Sequence, residues 1–208
     1  MTAESRDVER PRAGTKGMAR EAREQLIVDV ATRHFVTAGP SASLTAIAQD
    51  AGVSKAMIYA YFSSRDELLI ACLDRAGHNL TRAVGDAQQT VHPPSDQALR
   101  TLVALVGAME NHRYDWELLH LTGLPDGAPQ DTARRYRKIL NQYGFDGIAG
   151  SFATDRGFDG TDAALTMAIW SSTLSGVTSW WRRHPEVGIE DISERLTRII
   201  GVIRGYHA

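Results

Sequence analysis

The residues best equipped for chemistry with a partner lie between Ser43 and Arg65. Within Lys55-Ala56-Met57-Ile58-Tyr59-Ala60-Tyr61-Phe62, Ile58 and Phe62 stand four apart and form one buried helical face. Lys55, Ala56, Met57, Tyr59, Ala60 and Tyr61 are left facing outward. A solvated face is normally rich in Glu, Lys and Gln, whereas this one has a single charge, two tyrosines and slender side chains. Such a face suits insertion into a groove of a nucleic-acid duplex. Ala56 and Ala60 allow close backbone approach, Lys55 and Met57 reach base edges near the helix N-terminus, and the tyrosine hydroxyls can donate to phosphates. The same tyrosines would also serve as core aromatics of a small helical bundle, so the local turn has to decide between the two readings.

That turn is well specified. Leu44, Ile47, Ala48 and Ala51 recur at helical steps, Gly52 stands where a left-handed residue ends a helix, and Ser54 can cap the next one. Val53 can drop between the two helices. Ser43 is the N-cap expected before Leu44, and Thr45 in the first turn sits where free N–H groups attract a phosphate. Ser64-Arg65-Asp66-Glu67 reads as a capping box that opens a longer helix, with Arg65 at its mouth placed for another phosphate. An earlier helix from about Ala19 to Ala38, with Leu26, Ile27, Val30, Ala31 and Phe35 on one stripe, ends at Gly39-Pro40 and supports the pair. His34 lies on or beside that stripe, as a structural histidine.

Together Ile47-Ala48, Ala51-Gly52-Val53-Ser54-Lys55, Ile58-Tyr59, Tyr61-Phe62 and Ser64-Arg65-Asp66-Glu67-Leu68 resemble the helix-turn-helix signature of the tetracycline-repressor (TetR) family of bacterial regulators. The resemblance spans about twenty-five residues in fixed register. It departs from the family at Ala56 (more often Gly), Met57 (Thr), Ala60 or Tyr61 (His) and Arg65 (Lys). The first two positions touch base readout, so an operator sequence does not carry over.

The resemblance implies an all-α fold: an N-terminal three-helix helix-turn-helix DNA-binding domain, and a C-terminal helical ligand-binding and dimerisation bundle. The expected boundaries are a disordered arm over 1–18, the DNA-binding domain over 19–65, and the body over 66–208. The helix opened by Ser64 packs Leu68, Leu69, Cys72, Leu73, Ala76 and Leu80 inward and joins the two domains. Beyond His92-Pro93-Pro94-Ser95 the apolar periodicity predicts helices near 96–111, 114–121, 132–152, 162–183 and 189–204, with short connections as in a bundle.

On the last two predicted helices, Ala164, Ala168, Ser171, Ser175 and Thr178 form a small-residue stripe, and Ile192, Leu196, Ile199, Ile200 and Ile203 an aliphatic one. The resemblance implies that these helices pack on their copies in a homodimer. A dimer also matches two major-groove half-sites about 34–36 Å apart on a palindromic double-stranded DNA operator. The alternative, that the stripes close the protomer's own core, is less favoured because one short reading helix alone gives too few base contacts for specificity. The resemblance further implies a cavity for a small, largely apolar effector, bordered by some of Met109, Trp116, His120, Tyr136, Tyr143, Phe152, Met167 and Trp170. Side chains of these types also fill helical cores.

Several classes are set aside. The histidines lack metal-ligand spacing and there is no cysteine pair, so no metal and no cofactor are expected. Ser171, Ser172 and Ser175 lie inside a helix rather than on a nucleophile elbow, so the chain reads as a non-enzyme with no catalytic residue. Gly14-Thr15-Lys16-Gly17 lacks the spacing of a phosphate loop. The 208 residues are 43% hydrophobic with a net charge of −2, which supplies a core but not a generally basic surface. No apolar run reaches the ~20 residues of a membrane span and no signal peptide is evident, so a soluble, cytoplasmic protein is expected. The resemblance implies a transcriptional regulator, most simply a repressor. A helical small-molecule-binding protein or enzyme without an operator is the alternative.

Overall fold

The computed structural model describes residues 17–89, 97–151 and 157–205, with side chains described to Asp146 in the second segment and to Val202 in the third. Most of the expected arm, the Pro93-Pro94 break, Phe152 and the Ile203 side chain lie outside these residues. The described residues form nine helices: α1 Arg20–Ala38, α2 Leu44–Asp50, α3 Lys55–Tyr61, α4 Arg65–Gln89, α5 Gln97–Ala108, α6 Asp115–Leu119, α7 Ala128–Ser151, α8 Gly160–Arg183 and α9 Ile189–Gly205. The predicted helices are all present, and the boundaries moved little except at α7, which starts four residues early, at Ala128.

The N-terminal helices form where the caps place them. Ser43 Oγ accepts from the Ala46 amide at 3.4 Å and Ser54 Oγ from the Met57 amide at 3.0 Å. Gly52, at φ +65°, ends α2. The Val53 amide donates to Ala48 O at 2.9 Å and the Gly52 amide to Gln49 O at 3.2 Å, closing the helix in the left-handed manner that a glycine there permits. Ile27, Ala31, Phe35, Leu44, Ile47, Ile58 and Phe62 make the core of this unit. His34 pairs with Asp50 at 2.9 Å, a structural role.

The capping box at α4 differs in one arm. The Glu67 amide donates to Ser64 Oγ at 3.1 Å as expected, but the Glu67 carboxylate reaches the Ser63 amide at 2.6 Å and the Ser63 hydroxyl, one residue upstream. Those two bonds hold the Glu67 carboxyl below its ordinary range.

α4 is the axis of the molecule: it packs on α1 at one end and on α5, α6 and α7 along its length. Gly77 is the closest approach, because a Cβ there would lie 2.2 Å from the Tyr136 ring of α7. Tyr136 OH in turn donates to Asp74 Oδ1 at 3.1 Å. α5 meets α9, and α8 meets α6 and α7. Cys72 is buried on α4 with Sγ 3.5 Å from Val28 O, and burial pushes its thiol up to about 12, so it is an inert core residue. Among the described residues no helix is long and apolar enough to cross a membrane.

Candidate nucleic-acid interface

α3 presents the face that its sequence pattern anticipates. Ile58 is buried beneath it, Lys55, Ala56, Tyr59 and Ala60 are exposed, and Met57 and Tyr61 are half-buried. Tyr59 is 47% exposed and has the Lys55 ammonium 6.0 Å from its ring centroid, so the charge leans over the aromatic face. Ser43 and Thr45 at the start of α2, Ser54 at the start of α3 and Arg65 at the start of α4 are all exposed. Three helix N-termini thus accompany the one outward face, each offering unpaired amides to an anion.

Tyr61 has a different surrounding from Tyr59. Its hydroxyl accepts from Arg23 Nη1 of α1 at 3.3 Å, and the Arg20 guanidinium lies 5.0 Å from its ring centroid. The half-buried hydroxyl therefore has a partner inside the domain, and the two arginines bring positive charge to this flank of α3. Arg20 and Arg23 were missed by sequence reasoning. Their three-residue spacing puts them on one side of α1, but only the packing of α1 on the helix-turn-helix pair shows which element they meet.

Of the residues expected around an effector cavity, all but Phe152 are among the described residues. Met109 is fully buried core. Trp116 is buried with Nε1 donating to Ser175 Oγ at 3.0 Å, and His120 stacks on it with ring centroids 4.2 Å apart. His120 Nδ1 donates to Trp116 O at 2.9 Å; burial, helped by the nearby Arg137 cation, keeps its pKa below the ordinary value. Tyr136 lies on Gly77 and Tyr143 reaches α4 near Gly85. Trp170 is half-buried against the core. Of the expected set, Met167 borders an open groove between α7 and α8, together with Ala168 and Ser171.

The residues expected at a dimer interface divide into two groups in the protomer. Thr178, Ile192 and Leu196 are buried within the protomer, because they face its own core. Ala164, Ala168, Ser175 and Ile199 are exposed and Ser171 is half-buried. The large apolar side chains that remain uncovered on α8 and α9 are Leu165, Ile169, Trp180, Ile199 and Val202, four of them more than half exposed. Ala164, Ala168, Ser175 and Ile199 of the expected set therefore stay outward with Leu165, Ile169 and Val202, while Thr178, Ile192 and Leu196 do not.

Residues 27–72 match a family described as bacterial regulatory proteins, tetR family. An HTH-type transcriptional regulator of Mycobacterium tuberculosis, Rv1816, is 32% identical over 146 residues, which take in 66% of this chain and 62% of that protein. The HTH-type transcriptional activator FasR of Mycolicibacterium smegmatis is 39% identical over 107 residues, 49% of this chain and 48% of the relative. The chain thus spans less than two thirds of the length of these curated relatives. A TetR-family regulator structure from Bordetella parapertussis superposes with a TM-score of 0.73 at 17% identity, over 87% of this chain and 94% of that one, a likeness of fold.

Proposed function

We propose that this chain, which belongs to the TetR family of bacterial regulatory proteins, is a homodimeric, effector-responsive transcriptional regulator that reads a palindromic operator, most simply as a repressor. The observation that carries the reading is α3: a seven-residue helix, capped by Ser54 and seated on Ile58, whose outward face is Lys55, Ala56, Met57, Tyr59 and Ala60. In this reading Lys55, Ala56 and Met57 meet base edges. Ser43, Thr45, Tyr59 and Arg65 hold phosphates, and Arg20 and Arg23 add charge beside Tyr61.

A single reading helix contacts too few base pairs to single out a site, and a two-fold dimer doubles the contacts. Leu165, Ile169, Ile199 and Val202, beside the exposed Ala164 and Ala168 of the expected stripe, supply the apolar face on which a second copy would pack. An effector bound in the body would favour an arrangement with the two heads at the wrong separation. To empty an operator it must prefer that arrangement by several kcal/mol, about 5 for a near-complete switch. No step of covalent chemistry enters the reading.

The test is selection of sheared genomic DNA with the purified chain, sequenced after washing at two salt concentrations. The reading expects one palindromic motif at both. Enrichment that disappears at the higher salt with no motif would mean that phosphate charge alone drives binding, and would sink it.

A further inference from the structure

The open groove between α7 and α8 has a volume of about 740 Å3. One wall carries Arg134, Arg137 and Lys138, while Phe145 of α7 and Met167 of α8 supply its apolar part. Positions 134, 137 and 138 lie three and four apart, so the three cations share a face of α7 and repel one another. Arg134 is held by Asp131 at 2.6 Å. Among the described residues Arg137 donates from Nε to Ala133 O of its own helix at 3.3 Å, and neither Arg137 nor Lys138 has a carboxylate partner. Among the described residues no acidic side chain lines the groove, and the nearby Asp146 accepts from Gln142 of the groove at 2.8 Å. Phe145 is exposed beside this charge, an arrangement that water alone does not reward.

We propose that this groove binds an amphipathic anion, an alkyl or acyl chain ending in a phosphate or carboxylate, with its head on Arg137 and Lys138 and its chain along Phe145 and Met167. The guanidinium and ammonium groups supply charge-assisted hydrogen bonds to the head, and the two apolar side chains remove the tail from water. A neutral apolar molecule would leave the cations unanswered. The role of this molecule as effector rests on the regulator reading; its binding does not.

Isothermal titration of the full chain with decyl phosphate, decanoate, decanol and decyltrimethylammonium, each below its aggregation threshold, tests the inference. The two anions should saturate one site per chain, with decanol and the cation weaker by about tenfold or more, the worth of one charge-assisted contact. Arg137→Gln with Lys138→Gln should lose that margin. Lys138→Glu, a single change at an exposed position, should weaken the anions by a similar factor with an unchanged melting temperature. Tighter decyl phosphate would assign a phosphorylated head, and tighter decanoate a carboxylate. Decanol binding as well as the anions, or anion binding undiminished in both charge variants, would overturn the inference. Anion binding by a chain that enriches no DNA motif would defeat the regulator reading alone; a palindromic motif without anion binding would defeat this inference alone.

Discussion

Arg75 and Asp115 meet at 2.7 Å where α4 crosses both α1 and α6. Asp115 is fully buried, and its second oxygen accepts from Asn79 Nδ2 at 2.9 Å. Arg75 Nη2 also donates to Thr32 Oγ1 of α1 at 3.2 Å, and its Nε lies 3.6 Å from Asp29 of the same helix, which His112 approaches at 3.6 Å. One guanidinium therefore ties the DNA-binding unit, through Thr32 and Asp29, to the body, through Asp115. Burial holds the Asp115 carboxyl above its ordinary range even though Arg75 and Asn79 pull the other way. Removing Asp115 would leave Arg75 enclosed without its closest counter-charge.

Asp115→Ala is accordingly expected to cost about 3 kcal/mol or more of stability. Arg75→Met in the same chain should return part of that loss, since both charges are then gone. Urea unfolding of the two single variants and the double variant measures the coupling, and strictly additive losses would show that the pair acts independently.

Gly77→Ala should destabilise by about 1–3 kcal/mol, because its methyl group would enter the Tyr136 ring and force α4 and α7 apart. The same change at Gly107, where a Cβ meets nothing within 4 Å, should have little effect or a slight gain. Thermal denaturation of the two variants compares them directly. Equal melting temperatures would contradict the close packing of α4 on α7.

His120 gives a pH dependence of definite sign. Its folded pKa is lowered from 6.5, chiefly by burial, so the unfolded chain takes up the proton first as pH falls. Its contribution to stability is complete above 6.5 and is lost as pH falls from there toward the depressed folded value. His120→Gln should flatten the decline of unfolding free energy below pH 6.5 relative to the parent chain. Parallel profiles would remove His120 as the cause.

How much of this was legible in the sequence depended on how local each determinant is. Ser43, Gly52 and Ser54 act within a turn of their own position, so α2, α3 and the outward set on α3 could be read directly, except for Tyr61, which packs on the core and bonds Arg23 of α1. Periodicity on α8 and α9 showed that apolar stripes exist but not which of two faces the protomer keeps. Thr178, Ile192 and Leu196 went inward, and Leu165, Ile169 and Val202 stayed out. The surroundings of the residues expected at the cavity were less legible still. Met109 and Tyr136 have the chemistry of pocket-lining residues, yet their places in the core come from helices distant in sequence. The Arg75–Asp115 pair spans forty residues, and no spacing rule joins them.

Ile169→Arg and Ile199→Asp should each convert a dimer into monomers and weaken operator binding together, because the second half-site is lost with the second copy. Light scattering after size exclusion reads the first effect. A monomeric parent chain, or dimers that survive both substitutions, would place the interface elsewhere.

The most direct measurement is fluorescence anisotropy of the selected operator duplex and of a scrambled duplex, comparing the parent chain with Lys55→Ala and Tyr59→Phe at one salt concentration. If α3 reads bases, Lys55→Ala should lose about 1–3 kcal/mol on the operator and much less on scrambled DNA, narrowing the ratio between them. Tyr59→Phe should weaken both duplexes alike, as the loss of a phosphate contact does. Equal losses on the two duplexes for Lys55→Ala would contradict the assignment of α3 as the sequence-reading helix.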